Sequence, residues 1–259
     1  MKEKIFNIKY GEETIRVSSL IREVGKEWII CFHGLQSNKQ IFRPIFDIPQ
    51  LKLFSVIVID FVGFGDSDKP KNFSYTAEDQ AVISKQIIDQ LNAEKLHIIG
   101  HSLGGMVGTL LLEQLGERVV SFINLEGNLI AKDCGASADV AMQSFEDFQQ
   151  SGFAELKSTL KQSNEVGALQ RLAWVEQIPG YAFYKTSVSI VQISKSEKLL
   201  NLFLTAPQKK LYIYGDKNAF KIEVLEHKVP VEKISNAGHF MLLENSQETW
   251  DKVIMFLTH

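Results

Sequence analysis

The sequence predicts an α/β fold, with a mostly parallel central sheet, helices on both faces and an inserted helical segment. Three observations lead there. Short apolar runs alternate with amphipathic stretches between Trp28 and Leu125, the pattern produced by parallel strands joined by right-handed crossover helices. One of these runs, Leu96 to Ile99, passes through Gly100-His101-Ser102-Leu103-Gly104-Gly105 directly into a mostly apolar helical stretch from Met106 to Leu115. The alternation then stops at Ala131 and resumes at Leu211, with no buried-strand pattern between. A chain of 259 residues is long enough to bury one large core of this kind.

Each element has its own local reason. Ile5 to Ile21 alternates apolar and polar residues around Tyr10-Gly11-Glu12-Glu13, which reads as an antiparallel hairpin at a sheet edge. Trp28-Ile29-Ile30-Cys31-Phe32 is continuously apolar, as a strand covered on both faces must be, and ends in His33-Gly34-Leu35. Ser55 to Ile59 is a second buried run; it ends in Asp60 and opens a turn-rich stretch to Pro70. Tyr75 to Leu91 is helical, with Thr76 as N-cap and Ala77, Ala81, Ser84, Ile88 and Leu91 on one side. Val119 to Leu125 is the next buried strand and ends in Glu126-Gly127-Asn128.

Residues 131–206 carry Phe145, Phe148, Phe153, Trp174, Tyr181, Phe183 and Tyr184 among polar residues and read as a helical cap over the sheet. Those aromatics serve either as plain core or as walls for an apolar group. Strands return with Leu211 to Gly215 and Val231 to Ile234. The closing helix places Trp250, Val253, Ile254 and Leu257 on one stripe, and Asn245 followed by Glu248 makes a capping-box start. The expected organisation is a core from 1–130, a cap from 131–206 and the remainder of the core from 207–259.

Composition narrows the function classes. With 28 basic and 31 acidic side chains the net charge is −3, too mild to imply nucleic acid or an anionic membrane as partner. The two cysteines, Cys31 and Cys134, offer neither a disulfide framework nor metal-ligand spacing. The first residues lack an apolar signal core, and no run is long enough to cross a bilayer. A cytoplasmic protein without a membrane span is expected.

The stretch around Ser102 bears the chemistry. A serine forced into a tight strand-to-helix turn takes up strained dihedrals, and side chains two residues to either side would collide where strand and helix approach. Gly100 and Gly104 remove those side chains in a Gly-x-Ser-x-Gly nucleophile elbow. The hydroxyl then points out of the sheet, and the N–H of Leu103, at a helix start, can face a developing oxyanion. Such an arrangement serves acyl transfer, although the pentapeptide by itself fits an ordinary Gly-rich turn equally well.

Taken in order, His33-Gly34, Gly63-Phe64-Gly65-Asp66-Ser67, Gly100 to Gly105 and Asn236-Ala237-Gly238-His239-Phe240 resemble the motifs of the α/β-hydrolase superfamily in its capped, single-domain form. The resemblance spans the whole chain and implies the α/β-hydrolase fold. It also implies a nucleophile at Ser102, a base at His239, and an oxyanion hole made by the N–H groups of Leu35 and Leu103, with His33 bracing the loop. Chemistry agrees, because a neutral serine hydroxyl needs a histidine to accept its proton and return it to the leaving group. Asp60, Asp68, Gly63, Gly65 and Ser67 read as turn and packing residues.

The acid departs from the usual pattern. Such hydrolases commonly carry it in a Gly-x-x-Asp turn after the strand at Leu211, where this chain has Gly215-Asp216-Lys217-Asn218. Two replacements are available: Asp216 in the same turn, or Glu126 at the end of the preceding strand. Glu126 is favoured, since it resembles the arrangement of some haloalkane dehalogenases, and a carboxylate after an apolar strand is costly unless solvated or paired.

Dehalogenases and epoxide hydrolases of this fold attack with aspartate, so a serine at 102 argues against both. The expected function is hydrolysis of a carboxylic ester or thioester through an acyl-enzyme on Ser102, with a small acyl substrate bearing an apolar group. The alternatives are a carbon–carbon bond hydrolase of ring-cleavage products and a non-catalytic ligand-binding homologue. Acid, base and nucleophile suffice without a cofactor or metal.

Overall fold

The computed structural model describes residues 1–258, and its architecture follows from the apolar runs. The alternating N-terminal segment forms β1 (Lys2–Tyr10) and β2 (Glu13–Arg22), paired antiparallel with Tyr10 opposite Glu13 and Gly11 at φ 61° in the turn. The apolar runs form β3 (Glu27–Phe32), β4 (Ser55–Ile59), β5 (Lys95–His101), β6 (Val119–Leu125) and β7 (Lys209–Gly215), and the short, half-charged Val-Glu-Lys-Ile forms the edge strand β8 (Val231–Ile234). They make one eight-stranded sheet in the order β1-β2-β4-β3-β5-β6-β7-β8, with β1 at the edge as its polar alternation requires. From β4 to β8 every pairing is parallel; β2 joins β4 antiparallel.

Helices cover both faces. α1 (Ala77–Ile88) begins at Thr76, whose hydroxyl accepts the N–H of Asp79 at 3.1 Å, and it buries the face that begins with Ala77 and Ala81. It shares one apolar cluster with α2 (Leu103–Leu115) and with alternate side chains of β3 and β5, such as Trp28, Ile30 and Ile98. The opposite residues of those strands, Ile29, Cys31 and Ile99, meet Ile41, Phe42, Trp250 and Val253 in the second cluster. Trp250 and Val253 belong to α10 (Ser246–Thr258), which follows the short α9 (Met241–Glu244).

The start of α10 differs in detail from a capping box. Asn245 Oδ1 accepts the N–H of Glu248 at 3.4 Å, but Asn245's own N–H is already taken by Met241 in the last turn of α9. The Glu248 carboxylate turns instead to the Ser235 N–H at 3.0 Å, tying α10 to the loop after β8.

Between β6 and β7 the described chain is helical: α3 (Ala136–Ala141), α4 (Phe145–Asp147), α5 (Phe153–Gln162), α6 (Ala168–Val175), α7 (Gly180–Lys195) and α8 (Lys198–Thr205). Phe148, Phe153, Phe183 and Tyr184 pack ring against ring as its interior. α7 also grips the sheet layer: Tyr181 donates to the Lys69 carbonyl at 2.6 Å, and Ser189 accepts the Ala77 N–H at 3.0 Å.

Candidate active site

Ser102 leaves β5 with φ 55° and ψ −119°, a conformation that L side chains rarely adopt. The neighbourhood over-determines it. Its N–H donates to the Leu125 carbonyl at 3.0 Å, and its carbonyl accepts from Gly105 at 2.8 Å and Met106 at 3.2 Å, which opens α2. A Cβ on Gly100 would overlap the backbone of Gly104, and one on Gly104 would overlap the Phe32 carbonyl. Both glycines are therefore required by close approach of strand and helix.

The loop after β3 presses on the same spot. A Cβ on Gly34 would lie 3.0 Å from the Ser102 Cβ. His33, fully buried, accepts the Phe61 N–H on Nε2 at 3.1 Å and so donates Nδ1–H to the Gly34 carbonyl at 2.8 Å. Burial, the largest influence on this ring, lowers its pKa and favours that neutral tautomer. Among the described residues no acceptor takes the N–H of Leu35 or Leu103, so both remain available to an oxygen arriving beside Ser102.

The structure brings Glu126 to His239. Glu126 leaves β6 at φ 47°, its side chain is fully buried, and its Oε2 accepts from His239 Nδ1 at 2.9 Å. Burial pushes its carboxyl pKa up, but hydrogen bonding and charge from His239, the Lys221 cation and the Gly215 N–H together pull it down to about 2. Asp216 sits elsewhere: its oxygens accept the N–H groups of Asn236 at 2.9 Å and Ala237 at 3.2 Å, bracing the loop that ends in His239. Nε2 of His239 has no protein partner among the described residues. Ser102 and His239 line one cavity of about 490 Å³ at the carboxyl ends of the parallel strands, the usual ligand position in open α/β sheets.

Several contributors escaped sequence reasoning. Asn218, noted only as the residue where an acid was expected, donates Nδ2–H to both oxygens of Glu126, at 3.1 and 3.0 Å. Lys221 is buried with its Nζ 3.6 Å from Glu126 Oε2. His101 donates Nε2–H to the His239 carbonyl at 2.8 Å, and burial lowers its pKa to about 3, so the ring is neutral. Arg171 of α6, only 7% exposed, reaches the cavity with its guanidinium 4.3 Å from the Phe240 ring centre. Only His101 carried a local signal, as part of the Gly-His-Ser-Leu-Gly motif.

The structure separates the two roles left open for the aromatics of residues 131–206. Of the aromatics in 131–206, none lines the cavity beside Ser102: Phe148, Phe153, Phe183 and Tyr184 pack on one another, Tyr181 packs on Tyr75, and Trp174 joins the second apolar cluster. The aromatic walls are Phe220 and Phe240, outside the insertion, which contributes Lys132, Asp133, Cys134, Val166 and Arg171 among others.

A sequence-family model described as the alpha/beta hydrolase fold matches residues 27–172, more than half of the chain. An uncharacterized hydrolase, YugF of Bacillus subtilis (strain 168), is 32% identical over 84 residues, covering 32% of this chain and 30% of that protein. The 2-hydroxy-6-oxononadienedioate/2-hydroxy-6-oxononatrienedioate hydrolase of Klebsiella pneumoniae is 26% identical over 128 residues, 48% of this chain and 44% of the relative. The chain thus aligns with less than half the length of these curated relatives. Among solved structures, one from work on carboxylesterases of Nitrososphaera gargenis superposes with a TM-score of 0.82 at 16% identity, over 97% of both chains, a likeness of fold. Family model, strand order and elbow geometry agree, and the chain belongs to the α/β-hydrolase fold family.

Proposed function

We propose that this hydrolase-fold protein is a serine hydrolase that cleaves a carboxylic ester or thioester through an acyl-enzyme. The observation that supports this reading is the 2.9 Å contact between His239 Nδ1 and the buried Glu126 carboxylate, in a loop whose other ring nitrogen opens on the cavity that Ser102 also lines. Ser102 Oγ attacks the carbonyl carbon while His239 Nε2 takes its proton. The tetrahedral oxyanion receives the N–H groups of Leu35 and Leu103, each such donor contributing about 3 to 4 kcal/mol to barrier lowering. The intermediate collapses as His239 returns the proton to the leaving oxygen or sulfur, and a water activated by the same ring then releases the acid. Glu126 remains ionised and stabilises the imidazolium. Residues 131–206 act as the cap that closes the cavity, with Phe220, Phe240, Leu35 and Val166 offering contact to an apolar group.

A second reading, carbon–carbon bond hydrolysis of a ring-cleavage product, draws on the similarity to the dienedioate hydrolase and on the cations Lys132, Arg171 and Lys217 in the lining, which suit carboxylate substituents. Labelling with a fluorophosphonate tests the serine chemistry common to both. Attack by Ser102 Oγ forms the O–P bond and expels fluoride, so wild type should be labelled and Ser102→Ala should not. An unlabelled, folded wild type overturns the proposal in favour of a non-catalytic binding protein. Turnover of p-nitrophenyl esters or acyl thioesters supports the first reading; turnover of a vinylogous keto-acid alone supports the second.

A further inference from the structure

The turn after β7, where this fold commonly carries its acid, holds instead a neutral amide and a cation, and both converge on Glu126. Asn218 Nδ2 lies 3.1 and 3.0 Å from the two carboxylate oxygens, and the Gly215 N–H is 2.9 Å from Oε1. With His239 on Oε2 the carboxylate is surrounded by donors. Lys221 stands just behind: its Nζ is 3.6 Å from Oε2, donates to the Asp133 carbonyl at 3.3 Å, and is itself buried.

We infer that Asn218 and Lys221 are positioning residues for the Glu126–His239 pair, Asn218 by fixing the plane of the carboxylate and Lys221 by supplying a counter-charge that moderates its pull on the imidazole. The inference rests on the serine-hydrolase reading. A carboxylate with no solvent is costly to ionise unless hydrogen-bonded and charge-compensated, and a bare one beside His239 would hold the ring protonated. A base must be neutral to accept the Ser102 proton. Lys221 shares the field of Glu126 with the His239 ring, its Nζ 3.6 Å from the same Oε2 that His239 Nδ1 reaches at 2.9 Å.

The other titratable groups facing the pair are few. His101 of β5 lies against His239 with ring centres 4.9 Å apart and the planes tilted by 40°, and burial keeps it neutral. Tyr212 of β7 is buried and has its pKa raised, first by burial and then by the charges of Asp133 and Glu126, so it also stays neutral. Lys217 and Glu244 stand about Gly238, the residue before His239, where the Glu244 carboxylate accepts the Gly238 N–H, and both line the same cavity. The Asp133 carboxylate is engaged with the N–H groups of Leu129 at 2.9 Å and Ile130 at 3.1 Å. Lys221 is thus the ammonium group that stands beside Glu126.

The pH dependence of fluorophosphonate labelling at Ser102 tests this without a known substrate. Lys221→Met should move the acidic limb of the labelling rate upward by about one pH unit, since it removes a charge of the same sign as the imidazolium and leaves the Glu126 carboxylate to His239 alone. Lys221→Arg should restore the wild-type limb. Lys221→Gln, which keeps a donor for the Asp133 carbonyl and drops only the charge, should behave like Lys221→Met and guards against misfolding of the apolar variant. Asn218→Ala should slow labelling about ten-fold, the worth of one hydrogen bond to a charged group. A folded Lys221→Gln with an unmoved limb, or Asn218→Ala at the wild-type rate, overturns the inference, whereas an unlabelled wild type overturns the serine reading beneath it.

Discussion

Glu126 and Ser102 both hold positive φ, 47° and 55°, at the ends of adjacent parallel strands. A non-glycine residue in that region costs of order 1–3 kcal/mol and persists only where its surroundings impose it. Here the imposed turn swings the Glu126 carboxylate back under β7, where Gly215 N–H and Asn218 meet it. Asp216, although in the more usual turn, is committed to the backbone before His239. Glu126→Gln should therefore lower kcat by about 10⁴, the precedent for removing the orienting acid of a serine triad. Asp216→Asn should retain most turnover and weaken mainly the loop that presents His239. Steady-state kinetics on any ester that the wild type accepts separates the two, and the opposite ranking would transfer the acid's role to Asp216.

The element most fully legible in the sequence is the β5–α2 junction, because its constraint is local: glycines two residues either side of a serine report a clash that the chain itself creates. Gly104→Ala would drive a methyl into the Phe32 carbonyl and should cost about 1–3 kcal/mol, the range for overpacking. Gly25, with nothing within 4 Å of a built Cβ, is the control; Gly25→Ala should be neutral or stabilise by up to about 1 kcal/mol through the unfolded chain. Thermal melts of the two variants against wild type provide the measurement, and equal melting points would remove the steric account of the elbow. Sheet order was less legible. Apolar runs announce strands but not their neighbours, and nothing local says that β4 pairs between β2 and β3. Lys39 shows the same limit: no local pattern marks it, and it is buried with its Nζ 2.7 Å from Asp60, holding the segment after β3 against the turn after β4.

Across the whole molecule, the candidate site was readable as far as motif and strand end could carry it: these pointed to Ser102, His239 and Glu126, of which Glu126 meets His239 and Ser102 lines the same cavity as that ring. It was unreadable where partners lie far apart in the chain, as with Glu126 and Lys221 or Arg171 and Phe240. These long-range contacts also couple the site to stability. The Glu126 carboxyl is depressed in the folded protein from its ordinary 4.5 to about 2. A depressed acid stabilises the fold fully above its unfolded pKa, and that contribution is lost as pH falls through the folded value. The window is therefore pH 4.5 down to about 2, and the depression corresponds to about 3 kcal/mol. Glu126→Gln lacks the titration, so the difference in unfolding free energy between wild type and Glu126→Gln should shrink by about that amount across the window, as read by urea denaturation at a series of pH values. Carboxylates elsewhere titrate in both proteins and cancel from the difference. A gap that stays constant down to pH 2 would mean that the donors around Glu126 do not hold it ionised, and the electrostatic basis for its role behind His239 would go with it.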